Sequence, residues 1–163
     1  QDLEGITVVD DSTFAVVLER TSEVVLLDTS GMEIKRTALD LEGELNSGLE
    51  GITFDSKEKM FFILNEKNPC LLLTLDENLK ELKRDTLNFS KDVSGIFFDD
   101  NDNTLWILSD ESQLIVKTNL SGKPIEEYKV KVTQPEGITF NKARTKFYIV
   151  SDKTGSLYVF NLE

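Results

Sequence analysis

Four copies of one short motif constrain this chain more than any other feature. They are Leu3-Glu4-Gly5-Ile6-Thr7, Leu49-Glu50-Gly51-Ile52-Thr53, Val93-Ser94-Gly95-Ile96-Phe97 and Pro135-Glu136-Gly137-Ile138-Thr139. Their glycines step by 46, 44 and 42 residues. A period of that length fits four short strands and their turns, the unit of a β-propeller blade. The chain therefore reads as all-β, a single domain over 1–163 made of repeats at about 1–46, 47–90, 91–132 and 133–163.

Within each repeat the motif strand is followed by a turn rich in Asp, Asn, Ser and Lys, such as Asp10-Asp11-Ser12 and Asp99–Asn103. Asn and Asp suit such turns because they tolerate left-handed backbone and bond their own main chain. Second strands are expected at Phe14–Leu18, Met60–Leu64, Thr104–Leu108 and Lys146–Val150, and third strands at Glu23–Leu27, Cys70–Leu75, Leu114–Asn119 and Ser156–Asn161. Both sets are rich in β-branched and aromatic residues, as buried strands are. Phe61, Phe62, Trp106, Phe147 and Tyr148 accordingly read as blade core. A fourth segment, Ile34–Leu41, Lys80–Phe89 or Ile125–Val132, alternates charged and apolar residues and reads as the outer edge of its blade. A short helical turn is expected around Glu77–Lys83. The last repeat lacks an outer strand, so its edge at Ser156–Asn161 should either stay unpaired or borrow a strand, with self-association as one outcome.

The net charge of −12, from 30 acids against 18 bases, argues against nucleic acid and anionic membrane surfaces as partners and favours a cation or a basic partner. The absence of histidine removes the Ser/His and Cys/His dyads and histidine-based zinc sites. The single cysteine, Cys70, lies in an apolar run and reads as a small buried hydrophobe. No stretch reaches the ~20 apolar residues of a spanning helix. The chain begins with Gln1 rather than Met, which reads as a processed or excised product.

Hairpin neighbours share a rim, so the start of each inner strand meets the end of the second strand. Two sets of residues then converge on one mouth of the channel: Glu4, Glu50, Ser94 and Glu136, and Glu19, Glu66, Asp110 and Asp152. Seven of these eight are carboxylates, and like charges in a narrow channel repel unless a cation or basic groups sit among them. Hard oxygen donors suit Ca²⁺. On that reading Glu4, Glu50 and Glu136 are the first candidate ligands, followed by Asp110 and Asp152. On the other reading the acids are structural, capping neighbouring blades or pairing with Arg20, Lys67 and Lys153.

With its repeats aligned, the chain resembles the SdiA-regulated, YjiK-like family of bacterial β-propellers. The matching pieces are Asp2-Leu3-Glu4 with Asp10–Phe14, Gly48–Gly51 with Glu66–Pro69, Asp92–Gly95 with Ser109–Ser112, and Pro135-Glu136-Gly137 with Tyr148–Ser151. The resemblance implies a five-bladed propeller of which the first blade lies outside this chain. It also implies an exported domain of the periplasm or cell envelope, anchored through an N-terminal segment such as a lipoprotein signal, with no defined biochemical role. The expected function is an extracytoplasmic binding or scaffold domain for an unidentified ligand or protein partner. The alternative is a calcium-dependent lactonase or phosphotriesterase-like hydrolase, by analogy with propellers that hold an axial metal on inner-strand Glu, Asp and Asn.

Overall fold

In the computed structural model, which describes residues 2–41 and 48–162, every regular element is a β-strand. The expected boundary between the first two repeats, at 46/47, falls outside those residues. Blade 1 is β1 (Leu3–Asp10), β2 (Thr13–Leu18), β3 (Glu23–Asp28) and β4 (Glu33–Ala38). Blade 2 is β5 (Leu49–Asp55), β6 (Met60–Asn65), β7 (Leu71–Asp76) and β8 (Glu81–Thr86). Blade 3 follows with β9 (Gly95–Asp99), β10 (Thr104–Ser109), β11 (Leu114–Thr118) and β12 (Pro124–Lys129), and blade 4 has three strands, β13 (Pro135–Phe140), β14 (Lys146–Ser151) and β15 (Ser156–Asn161).

Each blade is an antiparallel sheet whose strands lie side by side in chain order. The motif strands β1, β5, β9 and β13 pack successively on one another, and β4, β8 and β12 lie outermost. The outer strands end about three residues earlier than their alternation suggests. Leu39, Leu87, Val130 and Val132, which look like further strand residues, are buried beyond the strand ends. The helical turn expected around Glu77–Lys83 is instead a side-chain-capped turn. Asp76 Oδ1 accepts the N–H groups of Asn78 and Lys80 at 2.8 and 2.9 Å, and Leu79 adopts a φ of 59°. Asp28 and Asn119 build the same turn in the adjoining repeats, with Gly31 and Gly122 at the left-handed position.

Three buried layers hold the blades together. Val17 and Leu26 of blade 1 meet Ile52, Phe61 and Leu73 of blade 2, and Phe62 and Leu64 of blade 2 meet Ile96, Phe98 and Leu105 of blade 3. Trp106 and Leu108 of blade 3 meet Ile138, Phe140 and Ile149 of blade 4. The last layer is an aromatic stack in which Phe140 lies 5.0 Å from Phe97 and 4.9 Å from Trp106, between ring centroids. Polar clasps cross the layers as well: Phe98 N–H donates to Thr53 Oγ1 at 3.1 Å, and Arg144 Nε donates to Asp99 at 2.9 Å with its guanidinium 5.0 Å over Phe97.

Two sheet faces have no such partner among the described residues. On blade 1 the free face carries Ile6 and Val8, 68% and 61% exposed. On blade 4 it carries Val150, Leu157 and Val159, 47%, 61% and 54% exposed. These positions are equivalent to buried ones elsewhere. Ile6 pairs with Val16 as Ile52 pairs with Ile63, and Val150 pairs with Gly137 and Leu157 as Leu108 pairs with Gly95 and Ile115. A cavity of about 420 Å³ is lined by the inner strands of all four blades, among them Ile6 and Val8, Thr53, Phe97 and Thr139.

Candidate functional site

The motif glycine has a steric task. A Cβ on Gly5 would lie 2.7 Å from the Glu50 carbonyl oxygen and 2.9 Å from the Ile52 nitrogen, and one on Gly95 would lie 3.0 Å from the Glu136 carbonyl oxygen. Glycine at these positions lets adjacent inner strands pack backbone to backbone. The residue before it is handled by a β-bulge. Leu3 pairs with Leu18 and Ile6 with Val16, so β1 spends one residue more than β2 over that interval. Leu49 and Ile52 do the same in β5, and Pro135 and Gly137 in β13. A bulge re-aims side chains at the end of a ladder, and in three of the four repeats the interval contains the motif glutamate.

The acids gather at the mouth as the sequence predicts, with a different grouping. Glu4, Glu50, Glu136 and Asp152 line a common cavity of about 350 Å³ together with Val150 and Ser151. The tightest groupings centre on Glu19. Carboxylate oxygens of Glu19, Glu50 and Glu66 lie within 4.8 Å of one another, and so do those of Asp2, Glu4 and Glu19. Glu136 is in neither triad. Asp110 is engaged in a turn, where its Oδ1 accepts Gln134 N–H at 3.2 Å and Gln113 Nε2 at 3.3 Å. Ser94, at the motif position of the third repeat, is buried and donates its hydroxyl to the Pro135 carbonyl at 2.6 Å, clasping blade 3 to blade 4.

Bases offset only part of this charge. Lys67 Nζ sits 2.7 Å from Glu66, and Arg20 reaches Asp2, also at 2.7 Å, rather than Glu19. Burial pushes Glu50 up to about 9, helped by the charges of Glu4, Glu66, Glu136 and Glu19. Burial, then the charges of Asp110, Glu4 and Asp152, raises Glu136 to about 7. Glu4 and Glu66 are raised too, chiefly by burial. Deprotonated together, these groups need a counter-cation. Within either triad, Glu19, Glu50 and Glu66 or Asp2, Glu4 and Glu19, oxygens no more than 4.8 Å apart can all reach one ion at the roughly 2.3–2.6 Å that Ca²⁺ requires, whereas Glu136 lies outside both.

One functional neighbour escapes the motif reading. Asp92, only 3% exposed, accepts Ser109 Oγ at 2.5 Å and the N–H groups of Asp110 and Glu111 at 3.1 Å, fixing the rim beside blade 4. Its signal in the sequence is that Asp92-Val93-Ser94 repeats Asp2-Leu3-Glu4 with the first acid kept and serine in place of the glutamate. Asp92→Ala strands three donors, two of them backbone. It should cost about 2–4 kcal/mol in denaturant unfolding, and a loss under about 0.5 kcal/mol would show that water replaces the carboxylate.

A sequence model of the SdiA-regulated family matches residues 1–161. Among solved structures the chain is similar to one in a nidogen/laminin complex, with a TM-score of 0.74 and 17% identity over 98% of this chain and 59% of that one. It is also similar to a functionally unknown protein from Desulfotomaculum acetoxidans DSM 771, with a TM-score of 0.68 and 10% identity over 99% of this chain and 52% of that one. A streptogramin B lyase structure matches with a TM-score of 0.67 and 16% identity over 98% of this chain and 54% of that one. At these identities the likeness is one of fold, and the chain spans between half and three-fifths of each of these structures.

Proposed function

We propose that this chain, which belongs to the SdiA-regulated family, is the larger part of a five-bladed propeller that works as a binding and scaffold module, with Ca²⁺ seated in its acidic mouth. The observation that carries the reading is the convergence of Glu19, Glu50 and Glu66 oxygens within 4.8 Å. Glu19, Glu50 and Glu66 hold the ion, and Glu136 and Asp152 line the cavity through which a ligand reaches it. A bound dication would neutralise acids that otherwise raise one another's pKa, and its open side would accept an oxygen from a ligand or partner. The fifth blade is supported by the two free faces, since one further sheet would cover Ile6 and Val8 on one side and Val150 and Leu157 on the other, as every neighbouring pair of blades does. A site of carboxylates at an open mouth belongs with the weak Ca²⁺ sites, of about 10⁻⁴–10⁻³ M, that fill outside the cytoplasm. An ion of that affinity class would suit the extracytoplasmic setting that the family resemblance implies.

Calorimetric titration with CaCl₂, beside the Glu50→Gln variant, tests the site. Saturable heat that weakens about tenfold or more in the variant, a loss of roughly 1.4 kcal/mol, is expected. Absence of Ca²⁺-dependent heat, or equal binding by both proteins, overturns the metal reading and leaves the acids structural. Turnover of generic lactone or phosphoester substrates that chelator abolishes would replace the scaffold reading with a hydrolase.

A further inference from the structure

Each acid that ends a second strand is followed by a charged residue: Arg20, Lys67, Glu111 and Lys153 in blades 1 to 4. Two of these bases reach back to the mouth. Arg20 Nε lies 2.7 Å from Asp2, a member of the triad Asp2, Glu4 and Glu19. Lys67 Nζ lies 2.7 Å from Glu66 Oε1, a member of the triad Glu19, Glu50 and Glu66. Each group of oxygens suited to an ion thus has one member held by a tethered cation. The two tethers differ in kind, because an ammonium on a flexible four-carbon stem can turn to a new partner whereas a guanidinium is bound to the geometry of its planar fork.

The backbone beneath Lys67 is clamped. Asn65, 4% exposed, donates its amide to the Lys67 carbonyl at 3.2 Å and to the Pro69 carbonyl at 2.8 Å, and Cys70 Sγ donates to the Glu66 carbonyl at 3.0 Å. Leu18, Ser109 and Ser151 stand at the equivalent place in the other blades, so the amide clamp is a property of blade 2. Motion of Lys67 is therefore confined to its side chain. A second acceptor stands within its field. Glu111, the counterpart of Lys67 in blade 3, is exposed, and its charge acts on the Lys67 ammonium after that of Glu66. Asp92 acts there too but is buried and already accepts from Ser109, Asp110 and Glu111.

An ion seated on Glu19, Glu50 and Glu66 at roughly 2.3–2.6 Å would share the Glu66 carboxylate with an ammonium at 2.7 Å. Like charges that close repel, and the partner on a flexible stem is the one that can leave. Resting on the Ca²⁺ reading of the mouth, we infer that Lys67 is a built-in competitor for the ion: dication and ammonium exclude one another at Glu66, and ion binding turns Lys67 across to Glu111. The exchange lowers the affinity of the triad below that of free carboxylates. It also converts an ion pair within blade 2 into one that joins the rims of blades 2 and 3, so that filling the mouth changes how two blades are held together.

Calorimetric titration with CaCl₂ of the chain, of Lys67→Met, of Glu111→Gln and of the double variant tests the exchange. Lys67→Met should bind Ca²⁺ about tenfold more tightly, the scale of coupling within one ion-pair network. Glu111→Gln should weaken binding several-fold, because the expelled ammonium loses its new partner. A change of net charge alone would move both affinities in the same directions, and the double variant separates the two causes. Competition requires that Glu111 matter only while Lys67 is present, so the double variant should bind within about twofold of Lys67→Met. Equal weakening by Glu111→Gln with and without Lys67, or a Lys67→Met chain that binds no more tightly than the unmodified one, overturns the inference and leaves the Ca²⁺ site standing. Absence of Ca²⁺-dependent heat from both the unmodified chain and Lys67→Met overturns the site and the inference together.

Discussion

In chelator, the melting temperature of this chain should rise as the pH is lowered from about 9 to about 5, against the usual behaviour of an acidic protein with ion-paired carboxylates. The folded-state pKa of Glu50 is about 9 and that of Glu136 about 7, against 4.5 for each in an unexposed-to-charge reference. Between those limits the folded chain binds more protons than the unfolded one, so stability falls as the pH rises. The contribution is complete below the unfolded value and lost once the pH passes the folded one. Both residues act between pH 5 and 7 and Glu50 alone between 7 and 9, so the slope should be steeper in the lower interval, at about 1.4 kcal/mol per pH unit at most for Glu50 and less for the more exposed Glu136, whose charge water screens. Summed over Glu50 the effect amounts to several kcal/mol, and the raised Glu4 and Glu66 add to it in the same sense. Glu50→Gln should flatten the upper interval and raise the melting temperature at pH 8. Further acidification reverses the trend, because hydrogen bonds hold Asp10, Asp28, Glu23 and Glu33 below the ordinary carboxylate range and their contribution disappears on protonation. A melting temperature that is flat or rises with pH between 5 and 9 would show that the mouth relaxes to separate its charges.

Gly5→Ala should cost about 2–3 kcal/mol and loosen blade 1 from blade 2, because the added methyl meets backbone on the neighbouring strand and nothing there can turn aside. Gly137→Ala is the contrast. Its Cβ would meet only the Val150 side chain, at 2.9 Å, on the face that no blade covers, and Val150 can rotate away. That variant should lose less than about 1 kcal/mol in this chain. In a protein with a further blade seated against β13 the two substitutions should become comparably damaging. Urea unfolding of both variants in both backgrounds measures the difference, and a Gly137→Ala cost that is unchanged by the additional blade would count against a five-bladed ring.

The Glu-Gly spacing made the blade count, the strand order and the acidic mouth legible, because all three follow from repetition and antiparallel hairpins. The lengths of the outer strands were not legible, since Leu87, Val130 and Val132 continue an apolar alternation while serving as plugs between blades. Which acids meet was equally hidden. Glu19 marks the end of a second strand like Glu66, but its carbonyl lies against Gly48, where an added Cβ would approach to 2.5 Å, and that contact draws blade 1's rim towards Glu50. Such approaches depend on how one blade is rotated against the next, a relation between repeats that no single repeat encodes. The reading of Phe61, Phe62 and Trp106 as core holds because each faces a neighbouring blade, whereas Tyr148 occupies the matching position on the uncovered face of blade 4.

A residue inside a β-bulge takes no share in the pairing ladder, so exchanging it leaves strand register intact. At the mouth of this propeller that freedom falls on the motif glutamates, while the adjacent glycine and the next apolar residue carry the steric and packing duties. The third repeat places a different side chain at the equivalent position: Ser94 clasps the Pro135 carbonyl where the other repeats carry a glutamate, and Ile96 and Phe98 fill the layer behind it. The charge of such a rim can therefore differ in unit steps, one repeat at a time, without disturbing the packing that joins the blades.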